Sequence, residues 1–328
     1  MQNYTIDRGS YVEVAGARHY KLEIKRALGE KAKDSFNDEV ECQLIPEVDN
    51  PHDPNAIAIK VRNLTIGYVP VEIATDLSPI VKRLVASKYL PTTSGRIFWQ
   101  PPNRDYDSDG WVNAGVILPE PHLFLPINDA PPNSTLLPTG RSAQVIGEED
   151  HFDMLFDYVP HAGEAHLYLE LKLGTKILKN GAQRPLVSVF LDGTEVGELS
   201  TVTGKKFEPT LQHLDDVGKR AAVLGTIKGS ALSASLTFRA AKSDEVDDAW
   251  VRSLPAAPGP FVPESVSYPI PPTYQPPLSE RAPKRTPRHP EQTVRPRAEP
   301  KNSGGCALVL VSMLGVASAV GAAISHFA

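Results

Sequence analysis

Short runs of this chain alternate apolar with small or charged residues and are broken by glycine and proline. Ile57, Ile59 and Val61 alternate with small or charged residues, the pattern of a half-buried strand. The turn in front of them is stiff. Pro51 and Pro54 each fix a φ angle and bias Asn50 and Asp53 towards extended backbone, so His52 and Asp53 are held on a rigid loop. Gly67 interrupts a second short strand, and Pro70 with Glu72 predicts a helix start. Upstream, Val12 to Val14 predicts a strand, Gly16 a turn, and Arg18-His19-Tyr20 forms a basic and aromatic triplet. A further strand is expected around Cys42 to Ile45. Tyr68, Phe98 and Trp99 fall on strand-like segments and are expected to pack inside.

The pattern returns at one constant spacing. Ile57, Ile59 and Val61 align with Val187, Val189 and Leu191; Ile66-Gly67 with Val196-Gly197; Leu77, Pro79 and Leu84 with Phe207, Pro209 and Leu214; and Gly95 with Gly225. Val112, Ala114, Val116 and Leu118 then match Leu232, Ala234, Leu236 and Phe238 if the first copy carries a longer loop at Pro101 to Gly110. Such repetition indicates two copies of one small β unit rather than a long array.

Within the first copy, four elements occur in order: V-x-G-x-R-x-Y at Val14 to Tyr20, a strand, N-P-x-D-x-N-A-I at Asn50 to Ile57, and I-G-Y-x-P-x-E-x-A at Ile66 to Ala74. This order resembles the HIRAN domain, bounded here at residues 8–125. The resemblance implies a small OB-like β-barrel with helical insertions that captures the 3′ end of single-stranded DNA. It also implies a site at Arg18, His19 and Tyr20, which match the nucleotide-contacting triplet, with Asn50 lining the pocket and Asp53 beside it. His52 departs from the tyrosine expected at its position, so stacking there should be weaker and sensitive to pH in the imidazole range.

The side chains have the chemistry for this. A carboxylate at Asp53 is an acceptor for a terminal hydroxyl, which an internal, esterified nucleotide lacks. Arg18 offers a planar fork for phosphate, and His19 and Tyr20 offer ring faces for an unpaired base. Plainer uses remain open. Asp53 or Asn55 can serve only to hold the turn through its own backbone, and Tyr20 can be core.

The second copy, expected at residues 142–245 after a linker at 126–141, lacks this constellation. Gln183 stands at the Asp53 position, and Glu148, Glu149 and Asp150 stand near that of Arg18. It is expected to pack or to bind protein.

A net charge of −5 over 328 residues argues against strong non-specific duplex binding, which wants a basic face. A pocket for one strand end needs only a few donors. Two cysteines, Cys42 and Cys306, give no disulfide framework. Phosphate-binding loops, nucleophile elbows and paired Cys/His ligands are missing from the sequence, and Asp105 to Gly110 imitates a calcium loop whose closing glutamate position is Val116. A binding protein without cofactor or metal is expected, not an enzyme.

From 253 to 303 the chain reads as an extended, solvated proline-rich linker, and its latter half is basic. Residues 306–327 read as a transmembrane helix, which makes the chain a single-pass, tail-anchored membrane protein with its domains facing the cytoplasm. A small-residue stripe at Gly315, Ala319 and Ala323 suggests a homodimer. The fold class is therefore mainly β with helical insertions: two tandem OB-like barrels, a proline-rich linker and a C-terminal helix. Two functions remain open, a membrane-tethered reader of single-stranded nucleic-acid 3′ ends and a membrane-anchored protein scaffold.

Overall fold

Seven strands build the first sheet: β1 (Gln2–Ile6), β2 (Ser10–Glu13), β3 (Phe36–Pro46), β4 (Ile57–Val61), β5 (Leu64–Tyr68), β6 (Tyr89–Gln100) and β7 (Trp111–Leu118). Helix α1 (Lys21–Leu28) lies between β2 and β3, and α2 (Val71–Ala86) between β5 and β6. The strand order is β2-β7-β6-β3-β4-β5, antiparallel throughout, with β1 added in parallel to β6. Past β2, Ala15 and Tyr68 exchange backbone hydrogen bonds of 2.8 and 2.9 Å, which join the two ends of the strand path. Our computed structural model describes residues 1–103, 110–177, 180–230 and 232–281.

The second sheet repeats this order. Its strands are β8 (Ser134–Leu136), β9 (Arg141–Gln144), β10 (Glu164–Ile177), β11 (Gln183–Leu191), β12 (Thr194–Glu198), β13 (Arg220–Ser230) and β14 (Ser233–Ala240). The path runs β9-β14-β13-β10-β11-β12, with β8 parallel to β13, and Ile146 bridges to Glu198 as Ala15 does to Tyr68. Helices α3 (Phe152–Phe156), α4 (Thr201–Asp216) and α5 (Asp248–Ser253) accompany it. The register of β4 against β5 shifts after Ile59, and that of β11 against β12 shifts after Val189. Gly67 and Gly197 sit at these bulges with φ of 145° and 149°. A Cβ on Gly67 would stand 2.4 Å from Val14 Cγ1, and one on Gly197 2.6 Å from Ile146 O. Only glycine lets the closing bridge pass.

Each sheet wraps its own core. In the first, Leu44, Ile57, Ile59, Ile66 and Ile97 are fully buried, and α2 contributes Ala74, Leu77, Ser78, Val81 and Leu84, the stripe of an amphipathic helix. The second core holds Leu167, Val189, Val196, Phe207 and Phe238.

The architecture departs from the sequence expectations in four places. The supposed linker 126–141 carries β8 and the start of β9, because three residues suffice to extend β13 and are too short to show a period. The first sheet begins at Gln2, ahead of residue 8. Phe98 is 36% exposed, because alternation along β6 turns Ile97 and Trp99 inward and Phe98 outward. The fourth departure is the proline-rich stretch after α5, which is anchored to the first domain at several points before residue 281, with exposed residues between the anchors. Phe261 packs between Tyr4 and Tyr89, with ring centroids 5.8 and 5.6 Å away, and Gly259 donates its N–H to the Tyr89 hydroxyl at 2.6 Å. Val262 bonds Ser87 Oγ and receives Arg83 Nε at 2.8 Å. This strap binds through aromatic anchors and backbone N–H groups, neither of which shows as periodicity.

The acidic stretch at 104–109, the basic run after residue 281, the apolar segment 306–327 and its small-residue stripe lie outside the described residues. Among the described residues no helix is long and apolar enough to cross a membrane.

Candidate functional site

Three short segments meet beside the bridge that joins β5 to the end of β2. The first is a 3-10 turn, Ala17–Tyr20, opened by Gly16 in the left-handed region at φ 75°. The second is the 47–56 loop, and the third is the Pro70 entry to α2. Together with Tyr274, Pro277 and Glu280 of the strap they enclose an open pocket of about 620 Å³, lined by His19, Tyr20, Asn50, His52, Asp53, Tyr68 and Glu72 among others. That volume falls within the range for small-ligand sites.

A buried carboxylate organises the floor. Glu47, fully buried, accepts hydrogen bonds on Oε2 from the Tyr68 hydroxyl and from Asn50 Nδ2, both at 3.0 Å, and Tyr20 donates to the Tyr68 hydroxyl at 3.2 Å. Its Oε1 is buried without a partner among the described residues. Burial holds the Glu47 carboxyl above the usual range, against the opposing pull of Tyr68 and Asn50. The Tyr20 phenol is likewise raised, first by burial, with Glu47 and Tyr274 adding to the shift, so it stays a neutral hydroxyl. Asn50 also accepts the His52 N–H on Oδ1 at 3.0 Å. Both ends of its amide are engaged in holding the loop.

Asp53 combines the two uses left open by the sequence. Its Oδ1 accepts the Asn55 N–H at 2.8 Å, the bond of an Asx turn, while Oδ2 has no hydrogen-bond partner among the described residues. Lys82 of α2 braces the loop by donating to the Pro54 carbonyl at 3.0 Å. His52 is exposed at the rim. Tyr20 is 6% exposed, with its ring edge-on to Tyr68 at 5.9 Å, so packing takes most of its surface.

Arg18 lies elsewhere. It lines an adjoining groove of about 470 Å³ with Glu13, Asn113 and Trp111, and this groove shares Ala15, Gly16, His19 and Pro70 with the pocket. Trp111 is 43% exposed and meets Phe98 edge-on at 4.9 Å. Among the described residues the pocket itself is walled by three carboxylates, Asp53, Glu72 and Glu280, and by no Lys or Arg. Glu72 occupies the first turn of α2, where the helix N-terminus favours negative charge.

Sequence reasoning missed Glu47, Tyr274, Glu280 and Trp111. Glu47 stands three residues before Asn50, and its hydrogen bond to that residue needs the loop to close. Trp111 follows Gly110, and the outward face of β7 is visible only once its partner register is known. Among the described residues no group of three or more His, Cys, Asp or Glu side chains is placed to hold a metal ion.

The site is thus an acid-walled pocket in a β-sheet domain, with an exposed arginine in the adjoining groove. Residues 9–103 match the HIRAN domain family, and this part of the chain is a HIRAN domain, the module that the four motif elements imply and one associated with single-stranded nucleic acid. The match ends before β7, the strand that completes the sheet. No curated protein and no solved structure matches the chain.

Proposed function

We propose that the first sheet domain, an OB-like barrel, binds the 3′ end of a single nucleic-acid strand, with the terminal nucleoside in the pocket and the preceding phosphate in the groove at Arg18. One observation carries this reading: among the described residues the pocket holds three carboxylates and no Lys or Arg, while the Arg18 guanidinium lines the adjoining groove. A phosphate cannot be seated among Asp53, Glu72 and Glu280 without repulsion, whereas a base and a sugar with a free hydroxyl can. Only the end of a strand offers a nucleoside with a phosphate on one side alone. Asp53 Oδ2 accepts the hydroxyl, Arg18 forks the phosphate, and His19 and His52 flank the base.

The second domain is read as a degenerate copy of the same barrel. Its 3-10 turn, Glu148–His151, follows Gly147 at φ 87° as Ala17–Tyr20 follows Gly16, yet it presents acids where the first turn presents Arg18 and His19. Gln183 is drawn into β11. This domain acts as a spacer or a protein-binding surface, and the segment 306–327 tethers both to a membrane.

Binding of a short 5′-labelled oligodeoxynucleotide with a free 3′-hydroxyl, against its 3′-phosphorylated counterpart, tests the reading on the full chain. Preference for the hydroxyl end supports it, and equal binding of both ends refutes it. Fractionation of membranes from cells expressing the full chain checks the tether.

A further inference from the structure

The proline-rich strap does more than pack against the barrel, because it supplies one side of the pocket. We infer that Tyr274 is a binding residue of the end site, the wall against which the terminal base stacks. This rests on the end-binding reading above and adds a residue that lies far outside the HIRAN match.

Backbone hydrogen bonds fix the strap where the pocket needs it. The Thr273 N–H reaches Asp49 Oδ1 at 2.9 Å, and the Tyr274 N–H reaches Oδ1 and Oδ2 of the same carboxylate at 3.1 and 3.3 Å. Thr273 Oγ1 donates to the Pro46 carbonyl at 3.0 Å. Beyond Tyr274, Pro277 is buried, and the Leu278 N–H bonds the carboxylate of Glu23, itself buried in α1. Asp49 directly precedes Asn50, so one loop both grips the strap and presents His52 and Asp53.

The strap walls the pocket without filling it, since about 620 Å³ stays open with Tyr274 in place. Tyr274 is half-buried and carries a flat ring that orders at the cost of only two side-chain torsions, a good platform for a base. Glu280 adds a carboxylate on the same side. A further phosphate on the Tyr274 side would meet the Glu280 carboxylate, which disfavours continuation of the strand there. Tyr274 thus sets specificity for ends as well as affinity.

The test uses full-length protein and a short 5′-labelled oligothymidylate with a free 3′-hydroxyl, read by fluorescence anisotropy. Tyr274→Ala should weaken binding roughly 5- to 150-fold, the effect of removing one stacked aromatic, and Tyr274→Phe should bind as wild type does. An oligonucleotide whose last residue is abasic supplies a measurement that does not depend on comparing the stability of variants. Wild type should lose affinity for it, and Tyr274→Ala should lose much less, because the two changes remove the same contact. Unchanged affinity in Tyr274→Ala overturns the assignment. Tighter binding also overturns it, since the strap would then be a competitor for the pocket. If wild type fails to distinguish a 3′-hydroxyl from a 3′-phosphate, the end-binding reading fails and Tyr274 falls with it; if wild type distinguishes them and Tyr274→Ala binds equally well, only the wall is lost.

Discussion

Replacing Asp53 with Asn separates the two hydrogen bonds that this side chain is arranged to make. Oδ1 accepts the Asn55 N–H at 2.8 Å and holds the turn, and an Asn amide oxygen can do the same. Oδ2, the acceptor assigned to the ligand on the proposed reading, becomes an NH₂ group that donates. Stability should therefore hold in Asp53→Asn and fall by about 0.5 to 1.5 kcal/mol in Asp53→Ala, which loses the turn bond as well. Binding should fall in both. A hydrogen bond to a charged acceptor is worth about 1.5 to 3 kcal/mol, which corresponds to a loss of roughly 10- to 150-fold for a strand with a free 3′-hydroxyl. The 3′-phosphate strand reports on the same carboxylate with opposite sign. A phosphate about 4 Å from Asp53 is repelled by about 1 kcal/mol in water and about 4 kcal/mol near a protein surface, and Asn relieves this. Asp53→Asn should thus bind the hydroxyl end more weakly, the phosphate end more tightly, and nearly abolish the preference. Anisotropy titrations of both strands, with thermal melting as the control for folding, measure all of this. Asp53→Asn with wild-type affinity and wild-type end preference would refute the reasoning, because the free oxygen would then have no ligand.

The other expectations concern the frame around the site. Gly67→Ala and Gly197→Ala should each cost at least about 2 kcal/mol in denaturant unfolding, since each Cβ meets backbone or side chain within 2.6 Å at a left-handed φ; a melt unchanged in either variant would show that the bridge can yield. Arg220→Met should cost about 1 to 3 kcal/mol by urea unfolding, because Glu170, 2% exposed, loses its two guanidinium bonds and among the described residues keeps only Lys172 Nζ at 3.4 Å. Glu47→Gln should flatten stability against pH. The folded carboxyl titrates above its unfolded value, so wild type has the full contribution of this group below the unfolded value and loses it as pH rises through the folded one, while Gln has nothing to ionise. Urea midpoints that run parallel for the two proteins across that window would contradict this. Strand binding should depend only weakly on salt, with a slope near −0.7 for the single phosphate at Arg18, and a slope several times steeper in titrations from low to high salt would place further phosphates on basic residues outside the site.

What the sequence discloses here is whatever the backbone must obey locally. Pro51 and Pro54 show the rigid loop, Gly16 and Gly67 the turn and the bulge, and the alternation through Ile57, Ile59 and Val61 the strand that follows. Most of the strand core was legible on those grounds, and so were Asn50, His52 and Asp53 as a group. Features created by closure were not. Glu47 reads as a surface acid until the Tyr68 and Asn50 side chains are folded over it. Ile97-Phe98-Trp99 offers three apolar side chains in a row, so parity alone cannot say which one turns outward; pairing with Asn113 and Val112 decides it. Arg18 reads from the sequence as an exposed cation, but its place in the neighbouring groove rather than in the pocket depends on where the 3-10 turn directs it. The strap was the least legible segment, because its prolines suppress any period and its grip on Asp49 is made by backbone N–H groups that every residue possesses.

The two sheets share a frame but differ in the loop that precedes β4 and β11. Closure of each sheet depends on a bulge glycine, a bridge of two backbone hydrogen bonds and an inward stripe on a helix, and none of these involves the loop that precedes β4 or β11. The loop of the first sheet is held by a separate set of contacts: Glu47 beneath Asn50, the Asx bond at Asp53, and Lys82 on Pro54. In the second sheet Asn180 still accepts the Ala182 N–H at 3.0 Å, as Asn50 accepts that of His52, but no carboxylate follows it. The turn survives as backbone geometry without its chemistry. Substitutions in this loop should therefore alter the proposed binding at little expense to the core, whereas those at the glycines and bridges should alter folding whatever the loop contains. On the proposed reading the acceptor at Asp53, the fork at Arg18 and the ring at Tyr274 serve binding rather than folding, and their removal should leave the melting of the first domain close to that of wild type wherever, as with Asp53→Asn, the turn bond is kept.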